Sequence, residues 1–162
     1  MNSVAISSAG VPLPGWAPRL ASFARKVLAR LGRDGEDVSF LLCDDPTIAD
    51  LNLRFRGKEG ATDVLSFPQD EGAAFPSHGG KARRPAGDVV ISLDTLWATA
   101  RDLGVCADEE LRRLAIHGIL HLGGMDHASN DDTEPMLRLQ ESILEGLSGL
   151  RVLPAGADGK PR

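Results

Sequence analysis

The sequence predicts an α/β (α+β) fold, a single small mixed β-sheet flanked by helices. Three observations carry that prediction. Apolar residues recur at helical spacing in several separate segments, short β-rich runs alternate with those segments, and Gly, Pro or Asp punctuates most of the junctions. A chain of 162 residues, 42% hydrophobic and 25% charged, is the size of one domain with an ordinary core. The same figures exclude a disordered, collagen-like or coiled-coil chain. No internal repeat or boundary breaks the pattern, so residues 1–153 read as one domain and residues 154–162 as a disordered tail.

Met1 to Gly15 contains no Lys or Arg and no long apolar run, so it is a poor signal peptide, and no element is predicted there. Trp16, Leu20, Phe23, Ala24, Val27, Leu28 and Leu31 fall at helical spacing, with Gly32 as a stop. Val38 to Cys43 reads as a short apolar strand. Asp44-Asp45-Pro46 then caps and starts a second helix that carries Ile48, Leu51 and Phe55 inward. Gly57 and Gly60 break this helix before a second strand, Thr62 to Phe67, closed by Pro68. Residues 69–86 show no period and read as a long loop. Asp88 to Ser92 is the third strand, followed by a helix from Leu93 to Leu103 that Gly104 ends. The next helix opens at Asp108-Glu109-Glu110, where acidic residues meet the positive end of the helix dipole, and runs to Leu122 before Gly123-Gly124. The last helix spans Thr133 to Gly146 with Met136, Ile143, Leu144 and Leu147 inward. Cys43 and Cys106 sit among apolar neighbours and read as reduced core residues. No stretch approaches the roughly 18 apolar residues that span a bilayer, so a soluble, cytoplasmic protein without membrane contact is expected.

Three of the four histidines lie at His117, His121 and His127. Random placement would produce that H-x3-H-x5-H pattern about once in a thousand sequences. Two residues four apart on a helix share a face, so both imidazoles can converge on one ion. Gly123-Gly124 permits the sharp reversal that returns His127 as a third ligand. Three histidines leave one tetrahedral position open, which is the arrangement of a catalytic zinc site and makes hydroxide available near pH 7. One Zn2+ is therefore expected, with His117 also counted among the catalytic residues. Asp126, beside the third ligand, has three readings: it orients an imidazole, carries a proton, or is a turn residue leading into Ser129-Asn130.

His117 to His127 also reproduces the spacing of the metzincin zinc helix, including Gly124. The glutamate that serves those proteases as general base is Gly118 here, which counts against peptide hydrolysis.

The sequence resembles the YbeY family of bacterial endoribonucleases over most of residues 35–147. The resemblance rests on His-Gly-Ile-Leu-His-Leu-Gly-Gly-Met-Asp-His (117–127), on Asn52-Leu53-Arg54-Phe55-Arg56-Gly57-Lys58 running into Thr62-Asp63-Val64-Leu65-Ser66-Phe67-Pro68, and on Gly87-Asp88-Val89-Val90-Ile91-Ser92. Met125 stands where relatives usually carry an aromatic, and the long 69–86 loop is of a variable kind. The resemblance implies zinc on His117, His121 and His127, with Arg56 as a required basic residue nearby. It implies single-strand-specific cleavage of RNA in maturation of the small-subunit ribosomal RNA 3′ end and in ribosome quality control. Implied partners are ribosomal RNA, the small subunit, a ribosome-associated GTPase and a small-subunit ribosomal protein.

The residues are compatible with that chemistry. A guanidinium can meet two phosphate oxygens at once, so Arg56, with Lys58 close by, is suited to clamp a phosphate; a solvated helix-end cation is the plain alternative. Lys81, Arg83 and Arg84 form a second basic cluster, either tracking phosphates or merely solubilising the loop. Two Trp, five Phe and no Tyr make extensive base stacking an unlikely route, so recognition is expected to lean on phosphate and shape. A net charge of −5 excludes a surface that adheres to nucleic acid everywhere and leaves a local basic cleft open. The competing readings are a metzincin-like metalloprotease and a non-catalytic, zinc-containing ribosome assembly factor.

Overall fold

A computed structural model describes residues 1–69, 75–76 and 82–156. The elements in order are β1 (Ser3–Ala9), α1 (Ala17–Arg30), β2 (Glu36–Cys43), α2 (Asp45–Arg56), β3 (Val64–Pro68), β4 (Phe75–Pro76), β5 (Ala82–Ser92), α3 (Leu93–Leu103), α4 (Ala107–Leu122) and α5 (Pro135–Gly146). The sheet runs β1-β2-β5-β3, with the two-residue β4 beside the start of β5. β1, β2 and β5 are parallel and β3 is antiparallel to β5. The expected mixed sheet with flanking helices is therefore present.

α4 is the central helix. It packs against α1, α3, α5, β3 and β5, and Leu111, Ala115, Ile116 and Ile119 are fully buried. A helix apolar on most sides belongs inside a core, so only its one polar stripe is free to carry chemistry. The 27-residue main cluster joins it to Leu20, Phe23 and Leu28 of α1 and to Phe40, Leu42, Val89 and Ile91 of the sheet. A smaller cluster of Cys43, Ile48, Leu65 and Val90 lies under α2.

Several elements differ from expectation. β1 occupies the terminus where none was predicted. Its serines and alanines give a weak alternation, and full-length pairing with β2, from Ser3↔Asp37 to Ala9↔Cys43, supplies what the pattern lacks. The buried Asn2 amide donates to the Arg33 carbonyl (2.8 Å) and its oxygen accepts from Glu36 N–H (3.0 Å), fastening the start of that strand. β5 begins at Ala82, inside the expected loop, because its first half pairs with β2 across a register shift at Asp37/Val38. His78, Lys81 and residues 157–162 of the expected tail lie outside the described residues. Phe55, expected in the core, is 56% exposed. α5 starts at Pro135, since Thr133 is held in the preceding turn by donation from its N–H to Asp131 Oδ1 (3.0 Å).

Asp108 does more than meet the dipole of α4. It is fully buried, ion-paired with Arg112 (2.9 Å), and accepts from Val152 and Leu153 N–H (both 2.8 Å). The chain after α5 is thereby tied to the start of α4. Neither cysteine is in a disulfide; Cys43 is buried and Cys106 half-buried at the N-cap of α4. Burial, followed by the nearby carboxylates of Asp44, Asp45 and Asp94, pushes the Cys43 thiol up to about 12, so it is chemically quiet. Among the described residues no helix is long and apolar enough to cross a membrane.

Candidate functional site

α4 presents His117 and His121 along its polar stripe, toward β3 and α5. Its last turn is closed from two directions. Arg33 Nη1 donates to the Ile119 carbonyl (2.8 Å), a charged cap supplied from the loop before β2 and itself paired with Glu36 (2.6 Å). Gly124 then adopts φ +90°, a conformation that L side chains rarely take, and Met125 N–H returns to the Leu120 carbonyl (3.2 Å). That reversal brings His127 beside the helix.

The three half-buried rings lie 4.6, 5.2 and 5.5 Å apart between centroids, and one nitrogen from each falls within 4.8 Å of the others. Every Nδ1 is engaged elsewhere: His117 with Gln140 Oε1 (2.7 Å), His121 with the Met125 carbonyl (2.9 Å), His127 with the Ser129 carbonyl (2.9 Å). Each partner is an oxygen that can only accept, so each Nδ1 carries the proton and each Nε2 keeps its lone pair. The orientation of Gln140 is itself set by donation from its amide to Glu141 (3.4 Å). His117 Nε2 and His121 Nε2 then face one another at 3.0 Å as two acceptors, an arrangement that a cation between them satisfies. Burial is the main influence lowering the affinity of both rings for protons, which keeps them neutral as ligands must be. The donor set fits a metal ion, and zinc suits three imidazoles.

The group opens on a cleft of about 670 Å³ lined by Arg56, Lys58, Ser66, His117, His121 and Asp126 among others. Arg56 ends α2; its Nη2 donates to the Ser66 carbonyl on the β3 edge, and its guanidinium lies 4.8 Å from the Phe67 ring centre. Lys58 is carried by the turn after α2, where Asn52 accepts Lys58 N–H at its backbone carbonyl (3.3 Å) and donates its side-chain amide to the Gly60 carbonyl (3.0 Å). Asp126 is exposed at the cleft and accepts from His127 N–H (2.8 Å). All three Nδ1 atoms are taken by other oxygens, so Asp126 orients no imidazole directly. Arg83, of the second basic cluster, pairs with Asp37 (3.2 Å) near the start of β5, and neither it nor Arg84 lines the cleft.

Sequence reasoning missed Gln140, Asn52 and Arg33. Two of them had a signal: Gln140 and Asn52 are polar residues in inward helical register, four after Met136 and Ile48. Gly118 has a structural reason. A Cβ there would lie 2.5 Å from Val89 Cγ1, so position 118 faces the sheet and has no room for a glutamate reaching the histidines.

Comparison with known proteins identifies the family. Residues 17–148 match the family described as endoribonuclease YbeY. The chain is 43% identical over 144 residues to endoribonuclease YbeY of Treponema denticola, covering 88% of this chain and 92% of that one. It is 41% identical over 130 residues to the Sulfurihydrogenibium protein of the same name, covering 80% and 82%. A solution structure from Thermotoga maritima superposes with a TM-score of 0.61 at 26% identity, over 90% of this chain and 89% of that one. With the family model spanning most of its length, the chain belongs to the YbeY family of endoribonucleases.

Proposed function

We propose that this protein is a zinc-dependent, single-strand-specific endoribonuclease that trims the 3′ end of small-subunit ribosomal RNA and takes part in ribosome quality control in the cytoplasm. The observation that supports the reading is the grouping of His117, His121 and His127, two of which line a cleft that also holds Arg56 and Lys58. Family membership supports RNA as the substrate.

His117, His121 and His127 would hold the metal. A dication bound there supplies Lewis acidity toward a phosphoryl oxygen and hydroxide near neutral pH. The remaining work falls to the chain. Gln140 and the carbonyls of Met125 and Ser129 keep the imidazoles in one tautomer. Arg56 has given one donor to Ser66, which fixes the plane of its fork and leaves other N–H groups for the charge that develops on the non-bridging oxygens. Lys58 adds a point charge on the same side. Asp126, exposed in the cleft lining, would carry a proton in this reading. Residues 1–153 act in this reading as a single domain, docking on the small subunit with a ribosome-associated GTPase and a small-subunit ribosomal protein as partners.

The test is cleavage of single-stranded small-subunit ribosomal RNA fragments by zinc-loaded wild type, His117→Ala and Arg56→Ala. Wild type is expected to cut, His117→Ala to lose activity, and Arg56→Ala to lose about 100-fold or more. Undiminished cleavage by both variants overturns the assignment.

A further inference from the structure

The last turn of α2 carries a feature that the cleft chemistry leaves unused. Phe55 follows Ile48 and Leu51 at helical spacing, yet α2 ends one residue later. The ring is 56% exposed, and Leu53 in the same turn is 53% exposed. Of the other aromatic residues whose burial is described, Phe23 and Phe40 are buried, and Trp16, Trp97 and Phe67 are partly covered.

The ring has company of a specific kind. Phe67 on β3 meets it edge to face, with centroids 5.6 Å apart and planes at 70°. Arg54 lies 5.3 Å from the Phe55 ring centre and Arg56 4.8 Å from that of Phe67. Arg56 and Lys58 continue directly into the cleft wall. The contacts run Arg54, Phe55, Phe67, Arg56, two adjoining rings with a guanidinium against each. Arg54 is paired with Asp50 (3.3 Å), while Arg56 at the helix end and Lys58 in the following turn face the cleft.

We propose that Phe55, backed by Phe67 and flanked by Arg54 and Arg56, is a stacking platform for one unpaired nucleobase of the RNA strand that enters the cleft. The inference rests on the RNA-cleaving reading above. Bases inside a duplex have both faces occupied, so the platform accepts only unpaired ones, and it gives the preference for single strands a physical seat. Stacking is tolerant of base identity, so the platform holds the strand without reading its sequence.

The test uses full-length, zinc-loaded protein and a ten-nucleotide single-stranded adenylate, 2′-fluoro-substituted and verified intact by gel after each binding measurement, and left unmodified for kinetics. A matching set of strands carries an abasic nucleotide at each position in turn. Phe55→Leu, which keeps the apolar bulk and removes the ring, is expected to weaken binding on the order of 5- to 150-fold, the range carried by one base–aromatic stack. Its dependence on salt is expected to match wild type, because no phosphate contact is lost. Phe55→Trp is expected to restore affinity, and at one strand position an abasic nucleotide should remove the difference between wild type and Phe55→Leu. Equal binding by wild type and Phe55→Leu overturns the platform. So does a loss that persists undiminished on every abasic strand, which would make this face a structural element or a protein contact. If wild type cleaves the strand in those cases, the nuclease reading stands without the platform. Wild type that neither binds nor cleaves any RNA overturns both.

Discussion

Gln140 reaches His117 from a different helix, and that single contact decides which nitrogen of the ring is free. Replacing it with leucine keeps the volume and removes the acceptor, so zinc affinity is expected to fall 10–100-fold, as measured by competition with a chromogenic chelator. Gln140→Glu restores an acceptor and should recover most of the loss. Gly118 sits on the opposite side of α4 against Val89. Gly118→Ala forces a methyl group into a packed contact and is expected to cost about 1–3 kcal/mol in urea unfolding, with the metal affinity of the folded fraction retained. A peptidase activity created by Gly118→Glu would contradict this placement. The two positions also mark the limit of what was legible. The three histidines announce themselves because their spacing is local, whereas Gln140 becomes a partner only once α5 packs on α4.

At the level of elements, Phe55 and β1 depart from the sequence pattern for want of tertiary information. Helical spacing places Phe55 on the inward stripe with Ile48, but periodicity carries no information about where the neighbouring sheet ends. The ring therefore stays largely exposed, meeting Phe67 of β3 and Arg54. β1 fails to announce itself for the related reason that its alternation is weak and its partner, β2, lies about thirty residues away. α4, by contrast, was readable from its acidic start to its Gly-Gly stop, apart from the second duty of Asp108. That carboxylate joins α4 to the segment after α5 and neutralises a buried guanidinium. Asp108→Ala strands Arg112 and two backbone N–H groups, so a loss of about 3–5 kcal/mol is expected in the same denaturation assay. A chain ended after Leu153 keeps both N–H donors and should match the full-length midpoint. An equal loss in that truncation would show that the boundary at 153 is wrong.

Across the described molecule, the main core is built from buried apolar side chains, while the three histidines are only half-buried and lie at its margin on α4 and the turn after it. Chelation is accordingly expected to abolish cleavage while far-ultraviolet circular dichroism stays largely intact. Re-adding zinc at a hundredfold excess over its Kd should raise unfolding stability by about 2.7 kcal/mol. Unfolding on chelation would instead favour the assembly-factor reading, in which the metal is structural. The parallel pairing of the sheet has a further consequence, for the order in which the protein takes shape during synthesis. β1, α1 and β2 can assemble as soon as Cys43 has left the ribosome, since Ser3–Ala9 pairs only with Asp37–Cys43. The other side of β2 must then wait for Val38 to meet Gly87 and Cys43 to meet Ser92. Through that interval a strand rich in Val, Phe and Leu presents an unpaired edge. Misassociation of the nascent chain is expected to peak then, and closure of that long loop is expected to limit the folding rate, which stopped-flow refolding of a variant weakened in the β2–β5 pairing would check.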